Sequence, residues 1–120
     1  FSNCKLLGTD FSGFNPFLLA MSFDQCQLNL ASFYQLSLKG KSFTNSTLHE
    51  TDFTECNLSQ ADFSKSDLKR AIFDRTNLEK ANFITAINYS INPEQNKLKK
   101  AHFSKLGLTG LLDKYDIKVS

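Results

Sequence analysis

The chain has 120 residues, enough for one domain, with 41% hydrophobic content, no Trp and a formal net charge of +2. No apolar run approaches the roughly 20 residues of a membrane span, and no signal peptide is visible. Cys4, Cys26 and Cys56 are odd in number and lack metal-ligand spacing, which argues against a metal centre or a disulfide framework and for small buried thiols in a reducing cytoplasm.

The chain opens on a five-residue spacing. Phe1, Leu6 and Phe11 are five apart, with the small residues Cys4 and Thr9 two before the latter two. Phe1 already sits on a repeat centre, so the chain is expected to begin inside a longer natural repeat. The spacing slips by two within Ser12-Gly13-Phe14-Asn15-Pro16-Phe17. Gly, Asn and Pro favour turns for separate backbone reasons, so 12–17 reads as a loop bulging from the repeat. Phe14 or Phe17 either folds over the repeat as packing or meets a partner.

From Leu18 the spacing resumes. Its centres are Phe23, Leu28, Phe33, Leu38, Phe43, Leu48, Phe53, Leu58, Phe63, Leu68, Phe73, Leu78 and Phe83, with Phe and Leu alternating. A small residue usually stands two before each centre. A helix repeats its apolar face every 3.6 residues and a strand every two, so five fits neither. A fixed short repeat marks a solenoid, in which stacking supplies the core. If each pentad is one side of a square coil, residues twenty apart stack. Phe23, Phe43, Phe63, Phe83 and Phe103 then form one column and Phe33, Phe53 and Phe73 the opposite one. Leu28, Leu48 and Leu68 fill a third, and Leu38, Leu58, Leu78 and Leu98 the fourth. Leu36 and Lys41 depart from the small position, and Asn88 and Pro93 from the centre. Lys41 is expected to run its stem along the core and release its head at a corner.

Ala61-Asp62-Phe63, Ala81-Asn82-Phe83 and Thr51-Asp52-Phe53 match the motif A(D/N)LXX. On these residues the chain resembles the pentapeptide repeat family. The resemblance implies an all-β fold, a right-handed quadrilateral β-helix with the centre and small residues inside, here over 1–104. The polar residue before most centres, such as Ser32, Asp52, Asn57 or Asn82, is suited to bonding nearby backbone and holding tight turns. On the outer wall Glu50 is expected to pair with Arg70, and Glu55 with Arg75.

Residues 88–103 read as a last, irregular coil. Leu98 and Phe103 keep the phase, and Lys97, Lys99 and Lys100 form a solvated basic end or, alternatively, a phosphate contact. Residues 105–120 change character. Leu108, Leu111, Leu112 and Tyr115 have helical spacing with Ser104 as N-cap, and Ile117 and Val119 alternate like a short strand. Gly107 and Gly110 should each weaken that helix by about 1 kcal/mol relative to Ala. An open β-helix end leaves core and backbone uncovered. The segment 105–120 is therefore expected to cap it and, through these six apolar residues, to join two copies as a homodimer. The stretch from Gly110 to Val119 also resembles the C-terminal helix and strand of the Qnr-type quinolone-resistance branch, where this region joins two subunits.

No nucleophile motif, phosphate loop or ligand set is present, and no catalytic, cofactor-binding or metal residue is assigned. His49 and His102 flank centres and are expected to face solvent. Two non-enzymatic functions stay open. The Qnr-type resemblance implies binding and protection of a type II topoisomerase, DNA gyrase, with Phe14, Phe17, Asp52, Asp62, Asp67, Asp74 and Glu79 as contacts. Against it, Lys65, Lys69, Arg70 and Arg75 dilute the negative field that a DNA-like surface needs. Residues 1–96 carry ten acids and eight bases, and 97–120 carry two and six. The other function is a structural or interaction scaffold of unspecified partner. The expected location is cytoplasmic, with neither membrane contact nor direct nucleic-acid binding.

Overall fold

The computed structural model describes residues 2–13 and 22–113. Phe14 and Phe17, and Tyr115, Ile117 and Val119 at the other end, lie outside these residues. The fold is a coil of five-residue sides in which parallel bridges join residues twenty apart, as in Thr47 to Asp67 and Asn57 to Asn77. Two short parallel strands, β1 (Phe23–Asp24) and β2 (Phe43–Thr44), are the only bridges extended to two residues among the described residues. Below them the register becomes 22: Ser2 pairs with Asp24, Lys5 with Gln27, and Asp10 with Ser32. The two extra residues fall in the stretch containing the sequence slip, and the ladder continues across it.

The core is the set of columns that the spacing predicts. All the Phe and Leu centres from Phe23 to Phe83 are buried. Phe23, Phe43, Phe63, Phe83 and Phe103 stack nearly parallel, with centroids 4.9–5.4 Å apart. Phe11, Phe33, Phe53 and Phe73 form the opposite stack at 4.6–5.4 Å. Across the interior the two stacks meet edge to face, for example Phe43 and Phe53 at 5.6 Å and 81°. Such pairs contribute about 0.5–1.5 kcal/mol each beyond burial. Leu98 and Phe103, expected in the core, are only half-buried. They belong to the last coil, and no full coil stacks on them among the described residues. Leu36 packs against the core from the small position, and Lys41 is half-buried.

The expected all-β character is realised with little regular strand, because the chain turns every five residues. Most centre carbonyls accept the N–H three residues on, as from Ala61 N to Leu58 O at 3.0 Å; Cys26, Ser46 and Thr76 instead donate theirs to a side chain one coil up. The residue before that donor has positive φ: 62° at Gln60, 58° at Arg70 and 57° at Glu55. This is the third residue of a type II turn, which favours Gly or Asn. Among these turns from residue 25 to residue 80 only Gly40 and Asn45 meet that preference. The remainder carry ordinary side chains in a conformation costing roughly 1–2 kcal/mol, held by the ladder on both sides. The polar residue before each centre stabilises the same turn. Asp52, Asn57, Asp62, Asp67, Asn77 and Asn82 each accept the backbone N–H two residues on, at 2.9–3.2 Å. Inside, small hydroxyls and thiols donate to a centre carbonyl one coil below, as from Thr51 Oγ1 to Leu28 O at 2.9 Å and from Thr76 Oγ1 to Phe53 O at 2.8 Å. Ser66 makes the same bond to Phe43.

The last coil departs from the pentad in a way the sequence did not announce. Asn88 adopts φ 62°, and the next residue, Tyr89, turns inward. Its ring packs against Phe83 and Phe103 at 5.5 and 5.6 Å. Ile91 is buried in place of the expected centre Pro93. Asn96 restores the phase from the small position, donating to Phe73 O and accepting from Thr76 N.

The expected C-terminal helix is a 3₁₀ helix, Leu106–Leu111. The Ser104 hydroxyl accepts from Gly107 N at 3.0 Å, as an N-cap would. In a 3₁₀ helix residues three apart eclipse one another, so Gly107 and Gly110 share one face, and that face rests on Tyr89. A Cβ on Gly107 would fall 1.9 Å from Tyr89 Oη, and one on Gly110 would fall 2.3 Å from Tyr89 O. The glycines are thus points of close approach, which corrects their reading as weak spots. Gly110→Ala is expected to lower stability by about 1–3 kcal/mol through overpacking, measured as a shift in the urea midpoint. A stabilised variant would show that helix propensity governs this segment instead.

Candidate interaction surface

The interior is filled by side chains, so recognition falls to the wall and the ends. Five residues advance the chain by one side, and the bridging rows identify the sides. Ser42, Asp62, Asn82 and His102 run up one side, and Thr47, Asp67 and Ile87 the next. Asp52 and Ile72 follow on the third, and Asn57, Asn77 and Lys97 on the fourth. Asp52 and Asp62 therefore lie on opposite sides, with Asp67 on a side between them. Asp74 and Glu79 stand at the turns after Phe73 and Leu78 on successive sides. The structure does not bring these five candidate carboxylates onto one face. Those of Asp52, Asp62 and Asp67 already accept turn N–H groups. Asp74 lies 3.5 Å from Arg75 Nε.

Of the two charge pairs expected one coil apart, Glu55 with Arg75 forms and Glu50 with Arg70 does not. Arg75 reaches Glu55 at 3.5 Å, with the arginine side chain 61% exposed; such a surface pair contributes about 0–1 kcal/mol. No ion pair joins Glu50 to Arg70, both of which are exposed. His49 is half-buried, where full exposure was expected, and its Nε2 lies 2.7 Å from Asp67 Oδ2. Asn88 Nδ2 donates to the other Asp67 oxygen at 3.0 Å. His102 is exposed. Among the described residues no group of three His, Cys, Asp or Glu is placed to hold a metal. No described helix is long and apolar enough to cross a membrane.

The C-terminal end differs from the wall. A groove of about 850 Å³ runs between residues 84–90 and the 3₁₀ helix, with Lys69 and Arg70 on its flank and Asp113 at its edge. Exposed apolar side chains line it: Ile84 and Ile87 on the last repeats, then Leu106, 92% exposed; Leu108 is exposed on the same helix but does not line the groove. Of the residues assigned to a dimer contact, Leu108 is exposed while Leu111 and Leu112 are half-buried, Leu111 against the core. Ile84, Ile87 and Leu106 were missed in the sequence, although Ile at outward positions that elsewhere carry polar residues was the available signal. The Tyr89 hydroxyl is buried here without a hydrogen-bond partner among the described residues, and burial pushes its pKa up.

Asp67 links this end to the coil below. Burial alone would raise its pKa, but hydrogen bonds from Asn88, His49 and the Lys69 N–H outweigh it and hold the carboxyl below its usual value. A carboxyl with a depressed folded pKa adds stability above its unfolded value, near ~3.9, and loses it as pH falls through the folded pKa. Chemical denaturation across acidic pH should therefore show a smaller loss of stability on acidification in Asp67→Asn than in the unmodified protein. The variant should also start lower at neutral pH. Parallel curves would mean that Asp67 is not linked to folding.

Residues 15–83 match the family described as pentapeptide repeat region. A pentapeptide repeat protein from the Arabidopsis thaliana thylakoid lumen is 27% identical, over 82% of this chain and 61% of its own, with a TM-score of 0.58. This chain thus spans less than two thirds of that neighbour's length. A pentapeptide repeat protein from the cyanobacterium Cyanothece 51142 is 25% identical over 87% of this chain and 86% of its own, with a TM-score of 0.39. QnrB1, a plasmid-mediated fluoroquinolone resistance protein, is 16% identical over 100% of this chain and 91% of its own, with a TM-score of 0.34. Those two scores are too low to carry an argument. No curated protein matches the chain. With its repeat matched over more than half its length, the chain belongs to the pentapeptide repeat family and is a non-enzymatic repeat solenoid.

Proposed function

We propose that this chain is a structural and interaction scaffold that presents its wall and assembles through its C-terminal end. The observation that carries this reading is the gathering of exposed Ile84, Ile87 and Leu106 along the end groove beside an unfinished ladder. One coil lower, Ser66 O accepts from Ile87 N, and Leu68 N donates to Ile87 O. The corresponding groups above them, Ala86 O and Asn88 N, have no partner among the described residues. An open strand edge flanked by apolar side chains is a template for another chain. A second copy across a twofold axis would use the same patch on both molecules. The segment 105–120 then serves as both cap and dimer contact.

Protection of a type II topoisomerase is the narrower function implied by the Qnr-type resemblance. Its candidate acids are dispersed around the coil and partly engaged in turns, so the scaffold reading is preferred. Sedimentation at tens of micromolar tests the assembly. The unmodified protein should sediment as a dimer, and Leu106→Asp with Leu108→Asp should yield a folded monomer with little change in melting temperature, since both side chains are exposed. A monomeric unmodified protein would overturn the proposal.

A further inference from the structure

The register change near the N-terminus places two cysteines one above the other. Gln27 N donates to Cys4 O at 2.8 Å, and Leu6 N donates to Gln27 O at 2.8 Å. Lys5 bridges Gln27, so Cys4 lies one coil below Cys26. With the register of twenty that holds higher up, Cys4 would instead face Asp24. The two thiols have the same local conformation: Cys4 Sγ donates to Ser2 O and Cys26 Sγ to Asp24 O, each at 3.4 Å. Parallel neighbours on adjacent strands lie about 4.8 Å apart, within the roughly 4.4–6.8 Å Cα separation of disulfides, and closing the bond needs the Cβ atoms to approach by a few tenths of an ångström, to about 4.5 Å. Cys56 has no such neighbour, since Leu36 and Thr76 occupy the same position one coil below and above it.

We propose that Cys4 and Cys26 form a reversible disulfide that staples the first coil to the second, closed by a small-molecule disulfide of the glutathione type. Cys4 is half-exposed and Cys26 is 1% exposed, so Cys4 reacts first, as the nucleophile. Its thiolate displaces one glutathione thiolate from the oxidant, giving a mixed disulfide on Cys4. The Cys26 thiol then gives up its proton, and its sulfur attacks Cys4 Sγ, expelling the second glutathione thiolate, which is protonated. The protein loses two protons and two electrons, and one glutathione disulfide takes them up to become two glutathiones. Burial, then the adjoining Cys4 thiol, raise the Cys26 pKa, so the second step is the slower one. Burial pushes Cys56 up to about 12, which keeps it out of the exchange. The staple matters here because these two coils flank the register change from twenty to twenty-two, where the regular repeat is interrupted.

The test is intact mass after incubation with glutathione disulfide, followed by peptide mapping and a melting curve. The expected product has lost two hydrogens, carries no adduct, links the peptides of Cys4 and Cys26, and melts several degrees higher; dithiothreitol reverses all of this. Cys26→Ala should stop at a glutathione adduct on Cys4. A persistent adduct on the unmodified protein, a link involving Cys56, or an unchanged mass would each overturn the proposal.

Discussion

The fold depends on one constraint: each Phe or Leu centre of the regular repeat must stack on its own kind one coil away. The ladder fixes coils at strand spacing, and planar rings fit that spacing when stacked face to face. Both Phe stacks obey it, and each fills the space left by the other through edge contacts. A coil of five-residue sides has room for little besides these columns and the small residues beside them. The interior is therefore structural, and whatever the molecule recognises must meet the wall or the ends.

That constraint explains what the turns tolerate. Positions such as Arg70 and Gln60 sit in left-handed backbone without glycine's freedom, a cost repeated around every coil. It is offset because most corners are fixed by a turn hydrogen bond and several also by an Asp or Asn side chain accepting a neighbouring N–H. Four of the small inward residues add a bond between coils: Thr51, Cys56, Ser66 and Thr76 each donate to a centre carbonyl one coil down. Removing the carboxylates of Asp52 or Asp62 would thus disturb a turn before it disturbed any partner.

The columns, the loop's two-residue shift and the role of the residue before each centre were legible because a strict period leaves only one way to stack. The end was not, because there the period breaks. Tyr89 moves inward by one residue from its expected neighbour Asn88, and only the packing of its ring on Phe83 and Phe103 reveals why. Gly107 and Gly110 looked like poor helix formers because their reason lies in Tyr89, distant in sequence. The dispersal of the candidate acids was written in the spacing all along: Asp52 and Asp62 are ten apart, two sides of a four-sided coil. The C-terminal contact residues are divided for a similar reason. Leu111 supports its own coil, while Leu106 and Leu108 face outward and are available to another molecule.

The stacked register is the claim on which the wall, the end groove and the cysteine alignment all rest. Through-space proton contacts between Phe rings, read by NMR on protein with labelled phenylalanine, measure it directly. The expected contacts are Phe43 with Phe63 and Phe63 with Phe83, twenty residues apart, together with Phe11 to Phe33 at twenty-two. Absence of the Phe11–Phe33 contact, or a contact pattern without the twenty-residue interval, would contradict the account.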